Sequence, residues 1–146
     1  MGKVRAIADR AYALMNAHDT AGFLTVCSPT VVFTEGGMRV EGHEQMREVC
    51  DGYFTAFPDM RLDVMDAVES DDTLAAETRF TGTNTGPMQG PTGELLPPTG
   101  KRIDIESCDY IKIVDDRIQS WHVYIDMADF MAQLGATSPA ESAAAT

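Results

Sequence analysis

The chain places its helical hydrophobic spacings first and its alternating spacings afterwards. Val4, Ile7, Ala8, Ala11, Leu14 and Met15 recur at helical intervals, which predicts a helix over about residues 3–17. Asp19-Thr20 offers an N-cap for a short second helix ending near Cys27. Val31-Val32-Phe33 reads as a short strand, Gly36-Gly37 as a tight turn, and Met38-Arg39-Val40 as the returning strand. A third helix runs from Gly42-His43 to about Phe57, because Pro58 drives the preceding residue out of helical space. Beyond it the period is two, with strands expected over residues 60–69, 73–83, 103–114 and 117–125. Residues 84–100 hold Gly86, Pro87, Gly90, Pro91, Gly93, Pro97, Pro98 and Gly100. They predict a long irregular loop, and loops of that length in a compact domain often carry function. Met127 to Leu134 spells a closing helix ended by Gly135. Helices segregated to one side of an antiparallel meander define an α+β domain. The expected architecture is a cone: a curved antiparallel sheet, about three helices inside the curve, and an interior pocket.

Size and charge narrow the partners. A chain of 146 residues, 44% of them hydrophobic, supports one well-buried core. That domain is expected over residues 1–135, with 136–146, small and polar, as a flexible tail. The formal charge of −12 comes without any cluster of Lys and Arg. Phosphate backbones and anionic membranes both require such clusters, so neither nucleic acid nor a membrane is an expected partner. Cys27, Cys50 and Cys108 are odd in number, far apart and without a C-x-x-C pair. This suits a reducing cytosol better than a disulfide scaffold. The first residues run straight into a helical pattern with no long apolar stretch, so a cytoplasmic location is expected.

The last strand separates its residue types sharply. Successive strand residues point to opposite faces. Trp121, Val123 and Ile125 share one face, and His122, Tyr124 and Asp126 share the other. A face of three groups able to exchange protons suits a sheet wrapped around a pocket. A half-exposed strand with its polar face in water would show the same alternation.

Several short segments occur in a telling order: Gly42-His43, Ala56-Phe57-Pro58-Asp59, Arg79 through Gly86, Pro98-Thr99-Gly100-Lys101, and Trp121 through Asp126 to Gln133-Leu134-Gly135. Together they resemble the SnoaL-like polyketide cyclase family, over about residues 3–135. The resemblance implies the cone-shaped α+β fold of the nuclear transport factor two-like superfamily. It also implies closure of the last ring of an aromatic polyketide by intramolecular aldol condensation, with no metal or organic cofactor. A catalytic aspartate just past the tryptophan of the last strand is implied too, at Asp126. The family often has histidine in Gly-Thr-His-x-Gly, where this chain has Asn84. Asparagine hydrogen-bonds an oxygen but does not shuttle protons near neutral pH. His122 is then the candidate imidazole, supplied from another strand.

Aldol closure removes a proton from a carbon flanked by carbonyls and protonates the resulting alkoxide. A carboxylate in an apolar pocket has a raised pKa and serves both steps. Asp126 and His122 are therefore the catalytic candidates, with Tyr124 polarising or orienting the substrate. Asp126 is equally placed to cap the helix starting at Met127. Glu77 and Arg79 share a strand face and, with Asp126, resemble the Asp-Arg-Asp set of an epoxide-hydrolase branch of the superfamily. An ordinary cross-strand ion pair explains Glu77 and Arg79 as well. Tyr12, Phe33 and Phe54 are the expected pocket walls, with Met15, Phe57, Met65 and Met88 as further candidates. Arg79 and Asn84 complete the substrate contacts. The histidines His18, His43 and His122 lack zinc-ligand spacing, and no G-x-S-x-G or phosphate-binding loop exists.

The expected function is a cofactor-independent polyketide cyclase acting on a small aromatic substrate. Epoxide opening, a hydroxylation-related role, and a non-catalytic binding or accessory protein are the alternatives. The Trp121, Val123 and Ile125 face is expected either to pack on a helix of the same chain or to join copies into a dimer or tetramer.

Overall fold

The structure, a computed structural model, describes residues 2–90 and 93–135. The expected tail at 136–146 lies outside the described residues. The helical half holds α1 (Lys3–Asn16), α2 (Thr20–Thr25), β1 (Cys27–Glu35), β2 (Met38–Glu41) and α3 (Gly42–Ala56). The strand half holds β3 (Arg61–Ser70), β4 (Thr73–Thr83), β5 (Met88–Gln89), β6 (Leu95–Leu96), β7 (Arg102–Val114) and β8 (Arg117–Ile125), and α4 (Met127–Gln133) closes the domain. The fold is α+β, with four helices among the described residues. No helix among them is long and apolar enough to cross a membrane.

Six strands form one sheet in the order β2-β1-β8-β7-β4-β3. The strand half is the expected antiparallel meander, β3 to β4 to β7 to β8. The helical half joins it by a parallel pairing of β1 with β8, which the meander does not anticipate. The ladder shifts register between Val64 and Asp66 in β3, and between Lys112 and Ile113 in the β7–β8 pair. Extra residues of this kind bend a strand and deepen its twist, which curves the sheet around its helices. α1 packs over β3, and α3 packs over β1.

Two cores fill the curve. One joins Ala8, Tyr12 and Phe23 of the first helices to Leu74, Ile111, Ile118 and Trp121 of the sheet. The other joins Phe57, Phe80, Ile103 and Ile105 to Phe130 and Leu134 around the closing helix. α1 has no side-chain cap of its own. Glu69 on β3 supplies one instead, accepting from the Gly2 and Arg5 amides at 2.8 Å each. A cap borrowed across 64 residues leaves no local signature in the chain.

Residues 84–100 are less irregular than their glycines and prolines predict. Met88 pairs with Leu96 and Gln89 with Leu95 in a two-stranded ribbon. The buried Asn84 anchors this excursion. Its amide donates to the carbonyls of Ala56 at 3.1 Å and Gly86 at 3.0 Å. Its Oδ1 accepts from the Thr99 amide at 2.8 Å and the Thr99 hydroxyl at 3.0 Å. All four hydrogen-bonding positions of the side chain are thus used within the fold. Gly86 is needed beside it, because a Cβ there would sit 1.8 Å from the Thr55 carbonyl oxygen.

Candidate active site

The inner faces of β1, β8 and β7 form one wall of a cavity whose opposite wall is α3. The register decides what that wall carries. Val123 on β8 pairs with Asp109 on β7 and with Glu35 on β1. Glu35, Val123 and Asp109 therefore form a row across three neighbouring strands, all lining the cavity. The other wall brings Met46, Val49, Cys50, Tyr53 and Phe54 from α3. The cavity volume is about 70 Å³, and the cavity is open at its mouth. Glu35, Tyr53, Ser107 and Asp109 are the conspicuously polar groups of a lining otherwise made of hydrocarbon, aromatic and sulfur-bearing side chains.

Asp109 is 3% exposed. Its Oδ2 accepts from the Tyr12 hydroxyl at 2.6 Å. Burial pushes its carboxyl up to about 6, against the opposing hydrogen bonds from Tyr12 and Trp121, and the Glu35 charge adds to the rise. The Tyr12 phenol is pushed far up by its own burial and by the Asp109 charge, so it stays a donor. Tyr12 and Phe23 hold the Trp121 ring edge-on at 5.1 and 5.9 Å between centroids, which locks the frame around the carboxylate. Glu35 is half-buried and accepts a hydrogen bond from the Tyr53 hydroxyl. Burial raises its carboxyl, with the Tyr53 bond acting against the rise. The Tyr53 phenol itself is pushed well above its ordinary value by burial and by Glu35. Ser107 shares a hydrogen bond of 2.7 Å with Thr78. Among the described residues, no group of three or more His, Cys, Asp or Glu side chains is placed to hold a metal ion.

The expected polar face of β8 is turned the other way. Trp121, Val123 and Ile125 line the cavity, whereas His122, Tyr124 and Asp126 lie outside its lining. The His122 and Tyr124 rings stack on each other at 4.2 Å, and Tyr124 is 58% exposed. Asp126 is exposed at the start of α4, where its Oδ1 accepts from the Asp129 amide at 3.0 Å. It caps that helix. The physical reason is that helices α1 and α3 cover the apolar side of the sheet, and the strand must present its apolar side to them. Of the two placements expected for the Trp121, Val123 and Ile125 face, the structure shows the one within the chain, with Trp121 buried and all three lining the cavity.

The other candidates divide. Phe33 and Phe54 line the cavity, and Met15 joins them. Tyr12 lies behind Asp109 and reaches the cavity through it. Phe57 is buried in the second core and Met65 is 58% exposed. Arg79 lies on the outer face, where its Nε and Nη2 bind the Asp104 carboxylate at 2.7 and 2.5 Å. Glu77 is exposed, so Glu77, Arg79 and Asp126 are not assembled around the cavity. Asn84 is spent on anchoring its loop. His18 stacks on Phe54 at 4.3 Å and meets the Met60 carbonyl.

Asp109, Glu35 and Tyr53 carry no motif. Asp109 does carry a signal in β7, where Ile103, Ile105, Ile111 and Ile113 share its face. A lone carboxylate in the apolar register of an alternating strand is a charge sent inward.

A curved sheet closed over helices, with a mostly apolar cavity and a buried carboxylate in its wall, defines a class of α+β small-molecule proteins. A family model for the SnoaL-like polyketide cyclases matches residues 5–134, and the chain belongs to that family. Solved structures repeat the fold. AclR from Streptomyces galilaeus, a candidate hydroxylase, is 24% identical with a TM-score of 0.77 over 98% of this chain and 93% of its own. A candidate SnoaL-like polyketide cyclase from Jannaschia sp. CCS1 is 20% identical with a TM-score of 0.79, covering 93% and 94% of the two chains. A candidate polyketide cyclase from Pseudomonas putida is 20% identical with a TM-score of 0.72, covering 91% and 98%. A search of curated proteins returns no significant match.

Proposed function

We propose that this protein closes a ring of an aromatic polyketide by intramolecular aldol condensation without a cofactor, and that Asp109 moves the proton. The observation that carries this reading is the single buried carboxylate of the β7 stripe, facing an apolar cavity with its pKa raised to about 6. A carboxyl group tuned near the working pH both accepts and returns a proton efficiently. The ionised Asp109 takes a proton from the substrate carbon lying between two carbonyls. The C–H electron pair becomes the enolate, whose carbon attacks the ring-closing carbonyl carbon. The carbonyl π pair moves to oxygen, and the new alkoxide takes the proton back from Asp109. The substrate is isomerised and the enzyme is restored.

Tyr12 and Trp121 hold the carboxylate through hydrogen bonds and fix which oxygen faces the cavity. Phe33, Phe54 and Val123 offer flat and aliphatic contacts for a fused-ring substrate. The exposed cap Asp126 takes no part in this scheme. The test is incubation with a tricyclic anthraquinone ester bearing a 1,3-dicarbonyl chain, followed by analysis for the isomeric ring-closed product. Ring closure that is lost in Asp109→Asn and kept in Asp126→Asn is the expected result. Full activity in Asp109→Asn overturns the assignment.

A further inference from the structure

Glu35 is a second carboxylate in the cavity wall, and the ring closure above makes no use of it. It ends β1, directly before the Gly36-Gly37 turn, and lies across Val123 from Asp109. Two strand spacings separate the two positions, roughly 10 Å along the sheet. Tyr53 on α3 reaches over and donates its hydroxyl to Glu35. Among the described residues, Tyr53 is the one side chain that binds this carboxyl group.

Packing does not account for the pair. A carboxyl group drawn into an apolar wall loses hydration that one phenol hydrogen bond restores only in part. Apolar side chains of similar volume commonly replace buried polar pairs at no cost in stability. Glu35 and Tyr53 both line the cavity, so the carboxyl group stands where a ligand would meet it.

We propose that Glu35, oriented by Tyr53, accepts a hydrogen bond from a hydroxyl group on the substrate. The cavity then takes a flat molecule with an acidic, carbonyl-flanked carbon at the Asp109 end and a hydroxyl at the Glu35 end. This rests on the reading of Asp109 as the reacting end. A site built to bind a hydroxyl discriminates strongly against the analogue without it, because the buried acceptor is then left unpaired.

The experiment compares two ligands by isothermal titration calorimetry. One is 6-hydroxy-2-acetonaphthone, which has an acyl group at one end of a flat ring system and a hydroxyl at the other. Its control is 2-acetonaphthone, which lacks only the hydroxyl. The wild-type protein is expected to bind the hydroxylated ligand at least tenfold more tightly. Glu35→Leu removes that preference, and Tyr53→Phe reduces it. Equal affinity of the wild type for both ligands overturns the hydroxyl assignment and leaves the Asp109 reading standing. Failure of both ligands to bind overturns the aromatic-ligand reading and this proposal together. A preference that survives in folded Glu35→Leu removes Glu35 from it. The wild-type comparison is decisive even if a variant does not fold.

Discussion

Asp104 and Asp109 lie on the same strand and on opposite faces, and their carboxyl groups are shifted in opposite directions. Asp104 points outward, where hydrogen bonds and charge from Arg79 hold its carboxyl below the usual range. Asp109 points inward, where burial raises its carboxyl to about 6 despite two hydrogen bonds that oppose the rise. One residue type thus becomes a surface ion-pair partner or a buried carboxyl with a raised pKa according to which face of β7 it occupies. The outer face is richer in visible chemistry, with His122, Tyr124, Arg79 and Asp126. The plainer inner face is the one that lines the cavity, and burial there is what raises the Asp109 carboxyl.

The largest expected effect breaks the comparison at its inner end. Asp109→Asn loses about 10²- to 10⁴-fold in ring-closure rate, the usual worth of a positioned acid–base group. Asp104→Asn keeps the rate, and steady-state turnover of the pair checks both. Loss of the wild-type rate as pH falls through about 6 is expected as well, since the ionised form of Asp109 is the base.

Stability sharpens the comparison with opposite signs. The Asp109 carboxyl moves from an ordinary 3.8 to about 6 in the folded state. A raised pKa means that its stabilising contribution is complete below the unfolded value and is lost as pH rises through 6. Keeping it ionised at pH 8 costs about 3 kcal/mol. Asp109→Asn is therefore expected to gain up to about that much stability at pH 8 and little at pH 4. The lowered carboxyl of Asp104 contributes above its unfolded pKa and loses that contribution as pH falls. Asp104→Asn is accordingly weaker at pH 8, an exposed-pair effect that added salt reduces. Urea titrations at both pH values read all four outcomes.

Two smaller effects concern residues whose side chains hydrogen-bond the backbone of the fold. Asn84→Ala leaves the Gly86 carbonyl and the Thr99 amide without this partner, while the Ala56 carbonyl keeps only the Gly86 amide. A loss of about 3 kcal/mol is expected, read as a lower urea midpoint. Asp126→Ala removes the cap of α4 and costs about 1 kcal/mol, with turnover unchanged. Catalytic loss in Asp126→Ala at full folding would return the reaction to the outer face.

Much of the architecture was legible in the residues alone. The helical spacing of Val4 to Met15, the stop at Pro58 and the alternation after Met60 give α1, α3 and the strands because backbone periodicity acts locally. The ordered segments from Gly42-His43 to Gln133-Leu134-Gly135 carried the family. The site was legible only in part. Ile103, Ile105, Ile111 and Ile113 marked the face on which Asp109 goes inward, while Glu35 and Tyr53 stood in unremarkable surroundings.

Alternation by itself divides β8 into two faces without saying which one the helices cover. That choice is made by packing: α1 and α3 must bury the face of Trp121, Val123 and Ile125, which sends His122 and Tyr124 outward. The row of Glu35, Val123 and Asp109 depends further on the register of three strands far apart in the chain. Local sequence determined the elements and their two faces. Tertiary structure decided which face is buried, and burial is what raises the Asp109 carboxyl.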